Sequence, residues 1–220
     1  SSSSTRTISI LLNYMFKLIF YKMECKNDGE IKINTQMGRF LYSIAKNNTY
    51  KCYVETGSCR GNGSTFCLLK GLLERDDDSH LIGYETKKSF YQDSLRNNRN
   101  ILKQNKKLFL KNKSLVSYDE LPNWDIWNGN RKETYHYNLD LKQCETEETL
   151  ENIDVLLLDA GGWSRQAEWG KYKNNIKIII LDDTKGSTKH IRAEIINDKS
   201  WKVLKDLLND RCGWLAAEKI

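Results

Sequence analysis

From about residue 35 onward, apolar residues follow two alternating rhythms. Thr35 to Lys46 (TQMGRFLYSIAK) carries its apolar positions at helical spacing. Cys52 to Glu55, Leu81 to Glu85, Lys107 to Leu110, Ile153 to Asp159 and Ile176 to Asp182 are short β-type runs with helical stretches between them. This strand, helix, strand order predicts a parallel sheet covered on both faces. IDVLLLDA and IKIIILDD lack the alternation of a half-exposed strand, so both are expected at the sheet centre, buried on both sides. A helix is expected over Thr188 to Asn197. After it, SWKVLKDLL and CGWLAAEKI read as strands separated by Asn209, Asp210 and Arg211, a closing antiparallel hairpin.

Two segments stand outside this alternation. Ile8 to Tyr21 is apolar but interrupted by Lys17, too short to span a bilayer comfortably and without a small-residue cleavage site. It predicts an extra N-terminal helix docked on the core or, in a homodimer, on a second copy, with a targeting segment as the alternative and no stable membrane insertion. Lys111 to Leu150 is rich in Trp, Tyr, Asn and charge. Ser117 and Glu120 have capping-box spacing ahead of a short helix, and Trp124, Trp127, Tyr135, His136 and Tyr137 cluster in a polar stretch. An irregular segment of this length reads as a lid or mobile loop, and its rings suit stacking on a sugar or another planar acceptor. The expected organisation is an extension over 1–36 and one domain over 37–220, with an irregular insertion at about 111–150.

Length and charge narrow the picture further. A chain of 220 residues fits a single α/β domain with a proper core. The net charge of +6 is modest and spread along the chain, and its densest run, Lys103 to Lys113, reads as a solvated face, so no nucleic-acid partner is expected. Six cysteines form no C-x-x-C pair, which suggests neither a zinc site nor a disulfide framework and fits a reducing, cytoplasmic setting.

The candidate chemistry starts at Tyr53 to Thr65, YVETGSCRGNGST. A β-type run ends in an acid, and a glycine-rich turn then leads into a helix start, the element that lets backbone approach a nucleotide-like ligand. Gly57, Gly61 and Gly63 supply the approach, and Ser64 or Thr65 is expected to cap the helix. The spacing G-x-x-x-G-x-G differs from the dinucleotide pattern G-x-G-x-x-G, and a purely structural turn is the plain alternative.

The order ETGSCRGNGST, LIGYE, VLLLDAGG, IIILDD and a closing hairpin resembles the class I S-adenosylmethionine-dependent methyltransferases, especially their small-molecule and sugar O-methyltransferase-like group, over about Met37 to Lys219. The resemblance implies a Rossmann-like, doubly wound α/β fold with a mostly parallel seven-stranded sheet and a reversed last strand. It implies that Glu55, Gly57, Ser58, Gly61 and Gly63, with Arg60, Asn62 and Ser64 of the same loop, surround the methionine and ribose parts of S-adenosylmethionine. Glu85 would accept the two ribose hydroxyls, a task suited to an acceptor-only carboxylate. Cys59 stands where glycine is common and would be strained at positive φ, and Asn62 lengthens the loop.

Methyl transfer from a sulfonium needs positioning, plus a base for a hydroxyl acceptor. Asp159 is expected to face the methyl group and acceptor, at the strand-end edge where open α/β sheets bind ligands. Asp182 and Asp183 end the neighbouring strand, and with Asp159 they offer hard oxygen ligands for Mg²⁺; the plain alternative is that one of the pair caps the next turn. His190 or His136 is a candidate base. The expected activity is methyl transfer to an oxygen of a small polar acceptor, a saccharide in the first instance. A nicotinamide-dependent oxidoreductase and a non-catalytic binding module remain the alternatives.

Overall fold

The computed structural model describes residues 29–104, 106–122 and 139–220. The expected N-terminal apolar helix and the aromatic residues Trp124 to Tyr137 lie outside the described residues. The alternation from residue 35 onward folds as its rhythm predicts. Helix α1 (Gln36–Lys46) opens at Thr35, whose side chain accepts a hydrogen bond from the Gly38 N–H, and its buried stripe is Met37, Leu41, Ile44 and Ala45. There follow β1 (Cys52–Thr56), α2 (Ser64–Leu72), β2 (His80–Tyr84), α3 (Lys88–Asn97), α4 (Arg99–Gln104) and β3 (Leu108–Lys111). After the insertion come β6 (Ile153–Leu158), α5 (Gly162–Tyr172), β7 (Ile176–Asp182), α6 (Lys189–Asn197), β8 (Trp201–Leu207) and β9 (Trp214–Lys219).

Seven strands form one sheet in the order β3-β2-β1-β6-β7-β9-β8, parallel except for β9, which runs antiparallel to both its neighbours. The closing hairpin is therefore present, with its last strand inserted inside the sheet rather than added to its edge. Every residue of β6 is buried, as expected for a central strand. Successive residues divide between the two faces: Val155 and Leu157 pack with Met37, Leu41 and Leu68 on one side, while Leu156 and Leu158 pack with Trp169, Tyr172 and Ile191 on the other. Two helical layers thus share one sheet. Deleting a side chain such as Leu157, fully buried, would cost on the order of 2–5 kcal/mol.

The described parts of the insertion are less irregular than its composition suggests. A parallel pair joins β4 (Lys113–Ser114) to β5 (Glu145–Thr146), and the Ser117/Glu120 capping box opens a short 3₁₀ turn, Tyr118–Glu120. Lys111 Nζ and the Tyr84 hydroxyl both donate to Glu147 Oε2, at 2.5 and 3.1 Å, which fastens the end of the insertion to β2 and β3. Among the described residues no helix is long and apolar enough to cross a membrane.

Candidate active site

The carboxyl ends of β1, β2, β6 and β7 open onto one cleft of about 1030 Å³. Its wall begins at the β1 turn. Gly57 has φ +77°, and a Cβ there would lie 2.5 Å from the Asp159 carbonyl oxygen and 2.6 Å from Ala160 Cα. Only glycine lets β1 and β6 approach so closely at this point. Two residues further along the turn, Cys59 adopts φ 50°, the left-handed conformation in which a residue with a Cβ is strained. Gly61 is also left-handed, but a Cβ there would strike Ser94 Oγ and Asn98 Nδ2, so this glycine serves the packing of α3 against the loop.

Of the loop residues expected to hold a cofactor, Gly57, Ser58, Asn62, Gly63 and Ser64 line the cleft. Arg60 turns outward, 3.5 Å from Asp93 and over the Phe90 ring at 5.2 Å. Ser64 and Thr65 do not cap α2 with their side chains; the N-cap is Gly63, without a side-chain hydrogen bond. Both hydroxyls are drawn instead to acids. Ser64 Oγ donates to Asp159 Oδ2 at 3.2 Å, and Thr65 Oγ1 to Glu55 Oε2 at 2.6 Å. Glu55 is fully buried beneath the loop, its other oxygen has no partner, and burial pushes its carboxyl up to about 7.

Glu85 follows β2 at the cleft floor. Its two oxygens accept the backbone N–H groups of Cys59 and Lys87, each at 2.8 Å, while burial raises its carboxyl above the usual range. These contacts aim the side chain and leave lone pairs for further donors.

Asp159 and Asp182 stand side by side at the ends of β6 and β7. Burial and each other's proximity hold the Asp159 carboxyl well above its ordinary value, and burial raises Asp182 despite the opposing pull of Arg211. Asp183 is set apart, in a left-handed turn with φ 58° and with Arg165 Nη1 3.1 Å from its carboxylate. Among the described residues no group of three or more His, Cys, Asp or Glu side chains is disposed to hold a metal ion. His190 lines the mouth of the cleft near the start of α6, and partial burial lowers its pKa, which favours the neutral imidazole.

Four functional candidates have no signature in the motif reading. Arg165 and Glu168 lie one helical turn apart on α5, Arg211 sits in the β8–β9 turn, and Glu30 lies in the segment before α1. Glu168 is buried, accepts from Thr56 Oγ1 at 3.1 Å, and is raised by burial to about 7. Trp163, held by Nε1 donating to the Pro122 carbonyl at 2.9 Å, forms an aromatic wall edge-on to Tyr118. Spacing three apart behind VLLLDAGG was the available hint for the α5 pair; the other two reach the cleft only through tertiary folding.

No family model and no curated protein sequence matches the chain. Its likeness is structural. The O-methyltransferase from Bacillus cereus in complex with S-adenosylhomocysteine aligns with a TM-score of 0.55 at 12% identity, over 93% of this chain and 90% of that one. A methyltransferase from Geobacter sulfurreducens aligns with 0.57 at 11% identity, over 98% of both chains. The O-methyltransferase TomG from Streptomyces achromogenes, involved in tomaymycin synthesis and solved with S-adenosylmethionine, aligns with 0.55 at 11% identity, over 87% of this chain and 82% of that one. With this strand order and these neighbours, the chain has the Rossmann-like fold of the class I S-adenosylmethionine-dependent methyltransferases.

Proposed function

We propose that the chain is an S-adenosylmethionine-dependent methyltransferase that alkylates an oxygen of a small polar acceptor. The observation that carries this reading is the convergence of the Gly57 turn, Glu85 and Asp159 on a single cleft of about 1030 Å³. The residues present suit the cofactor. Gly57 lets the loop turn sharply against β6 at the cleft wall, Ser58 Oγ is buried without a partner beside it, and Glu85 is an acceptor-only group held by two backbone donors. When bound, the sulfonium supplies an activated methyl group for in-line displacement.

This chain's own residues would do the rest. Glu85 would take the two ribose hydroxyls, with Ser58 and Asn62 flanking it in the cleft wall. Asp159, already oriented by Ser64, would face the reacting end. His190, its imidazole favoured in the neutral form, is the group best suited to accept the acceptor's hydroxyl proton. A saccharide acceptor is the finer reading, drawn from the rings between Trp124 and Tyr137 in the sequence, which suit stacking on a sugar. A reducing, cytoplasmic setting is proposed on the cysteine pattern of the sequence, which has no C-x-x-C pair and no regular framework.

Isothermal titration of the purified chain with S-adenosylhomocysteine and S-adenosylmethionine tests the proposal. Saturable one-to-one binding, lost in Glu85→Ala, is expected. A thermal shift with NAD and none with either methionine derivative would reverse the reading in favour of an oxidoreductase.

A further inference from the structure

Asp159 and Asp182 stand side by side where β6 and β7 end, Asp183 follows in the next turn, and two guanidinium groups pair with the three carboxylates. Arg165, 3% exposed, enters from the first turn of α5. Its Nη1 lies 3.1 Å from Asp183 Oδ2 and its Nη2 lies 3.7 Å from Asp159 Oδ1. The same side chain donates to the backbone carbonyls of Ala160 and Asp182 and to Ser187 Oγ, so it ties the ends of both strands together. From the opposite side Arg211, held in a left-handed turn at φ 54°, places Nη2 3.1 Å from Asp182 Oδ2 and 3.3 Å from Glu30 Oε2. Each carboxylate of the expected Mg²⁺ trio therefore has a permanent positive partner.

A hard divalent cation needs those same oxygens in its own coordination shell, at roughly 2.0–2.6 Å. Arginine keeps its charge at any accessible pH and its planar fork satisfies carboxylates directionally, so it does not yield the position by deprotonating. The residues present do not fit a metal centre.

We propose that Arg165 and Arg211 together fill the electrostatic role of a divalent cation at the β6/β7 edge, closing Asp159, Asp182 and Asp183 into an arginine–carboxylate network that excludes Mg²⁺ and Mn²⁺. Arg165 is then a positioning residue, which orients Asp159 and Asp183 and fixes the strand ends through their carbonyls. Removing a guanidinium leaves buried carboxylate charge uncompensated and creates the cation site the wild-type chain lacks.

Electron paramagnetic resonance titration with Mn²⁺ tests this on the full chain, without methyl donor, so that its outcome is separate from that of the methyltransferase reading. The wild-type protein should show no saturable binding. Arg165→Met and Arg211→Met, where circular dichroism and a cooperative melt show them folded, should each gain at least about 10-fold in Mn²⁺ affinity. Adding Asp182→Asn should abolish that gain. Saturable wild-type binding that disappears in Asp182→Asn overturns the proposal, and so does a folded arginine variant without gain. The wild-type titration decides by itself if neither variant folds.

Discussion

The Cys59 backbone N–H donates to Glu85 Oε2 at 2.8 Å, so the left-handed residue of the glycine loop and the acid after β2 act as one unit. Strain at the first aims a hydrogen bond at the second. A non-glycine residue in this conformation costs on the order of 1–3 kcal/mol, more for a β-branched side chain. Cys59→Gly should therefore melt at or above the wild-type temperature and keep its cofactor affinity, whereas Cys59→Val should be less stable than Cys59→Gly by about 2 kcal/mol. Equal melting of the two variants would contradict the assigned strain.

Glu85 should dominate cofactor affinity. Glu85→Gln keeps the size of the side chain but loses charge-assisted acceptance, and Glu85→Ala also leaves the Cys59 and Lys87 N–H groups without their partner. Calorimetry with S-adenosylhomocysteine should show losses of roughly 10-fold for the first and 100-fold or more for the second. Unchanged affinity in both would remove Glu85 from the cofactor site.

Glycines in different settings should respond in opposite directions. Gly57→Ala forces a Cβ to 2.5 Å from the Asp159 carbonyl oxygen at φ +77°, so a loss of about 2–4 kcal/mol in urea unfolding and failure to bind cofactor are expected. Gly170 lies in α5 with nothing within 4 Å of a built Cβ, and Gly170→Ala should add about 0.5–1 kcal/mol. The pair separates close backbone approach from general helix propensity.

The buried Glu168 predicts a pH dependence whose sign can be worked out. Its folded pKa, about 7, lies above the unfolded value near 4.5, so the folded protein binds the extra proton between them. The contribution to stability is complete below about 4.5 and is lost as pH rises through about 7. Glu168→Gln removes this dependence. Its stability relative to wild type should rise between pH 5 and pH 8, by an amount of order 3 kcal/mol at most. Parallel urea-unfolding profiles for the two proteins would contradict the assignment.

How far the sequence reveals the site depends on the range of each interaction. The strands and the helix start at Thr35 were legible because periodicity and capping act within a few residues. Cys59 was recognisable as a point of strain because a glycine-rich turn constrains each φ in turn. The cap expected from Ser64 or Thr65 failed for a tertiary reason: the carboxylates of Asp159 and the buried Glu55 compete for those hydroxyls, and neither is visible as a neighbour in the chain. Arg165 and Arg211 were missed on the same ground. Nothing local distinguishes an arginine that will close an acidic cluster from one that will face water, as Arg60 does.

The place of β9 between β7 and β8 also bears on how the chain avoids self-association. Until Trp214–Lys219 docks, the run Ile176–Asp182 presents an unpaired apolar margin, rich in β-branched residues and without proline, the profile of a segment that recruits other chains. The closing hairpin is thus an intramolecular guard. Weakening it should expose the protein to precipitation before any cleft residue is disturbed, so the hairpin governs solubility as much as shape.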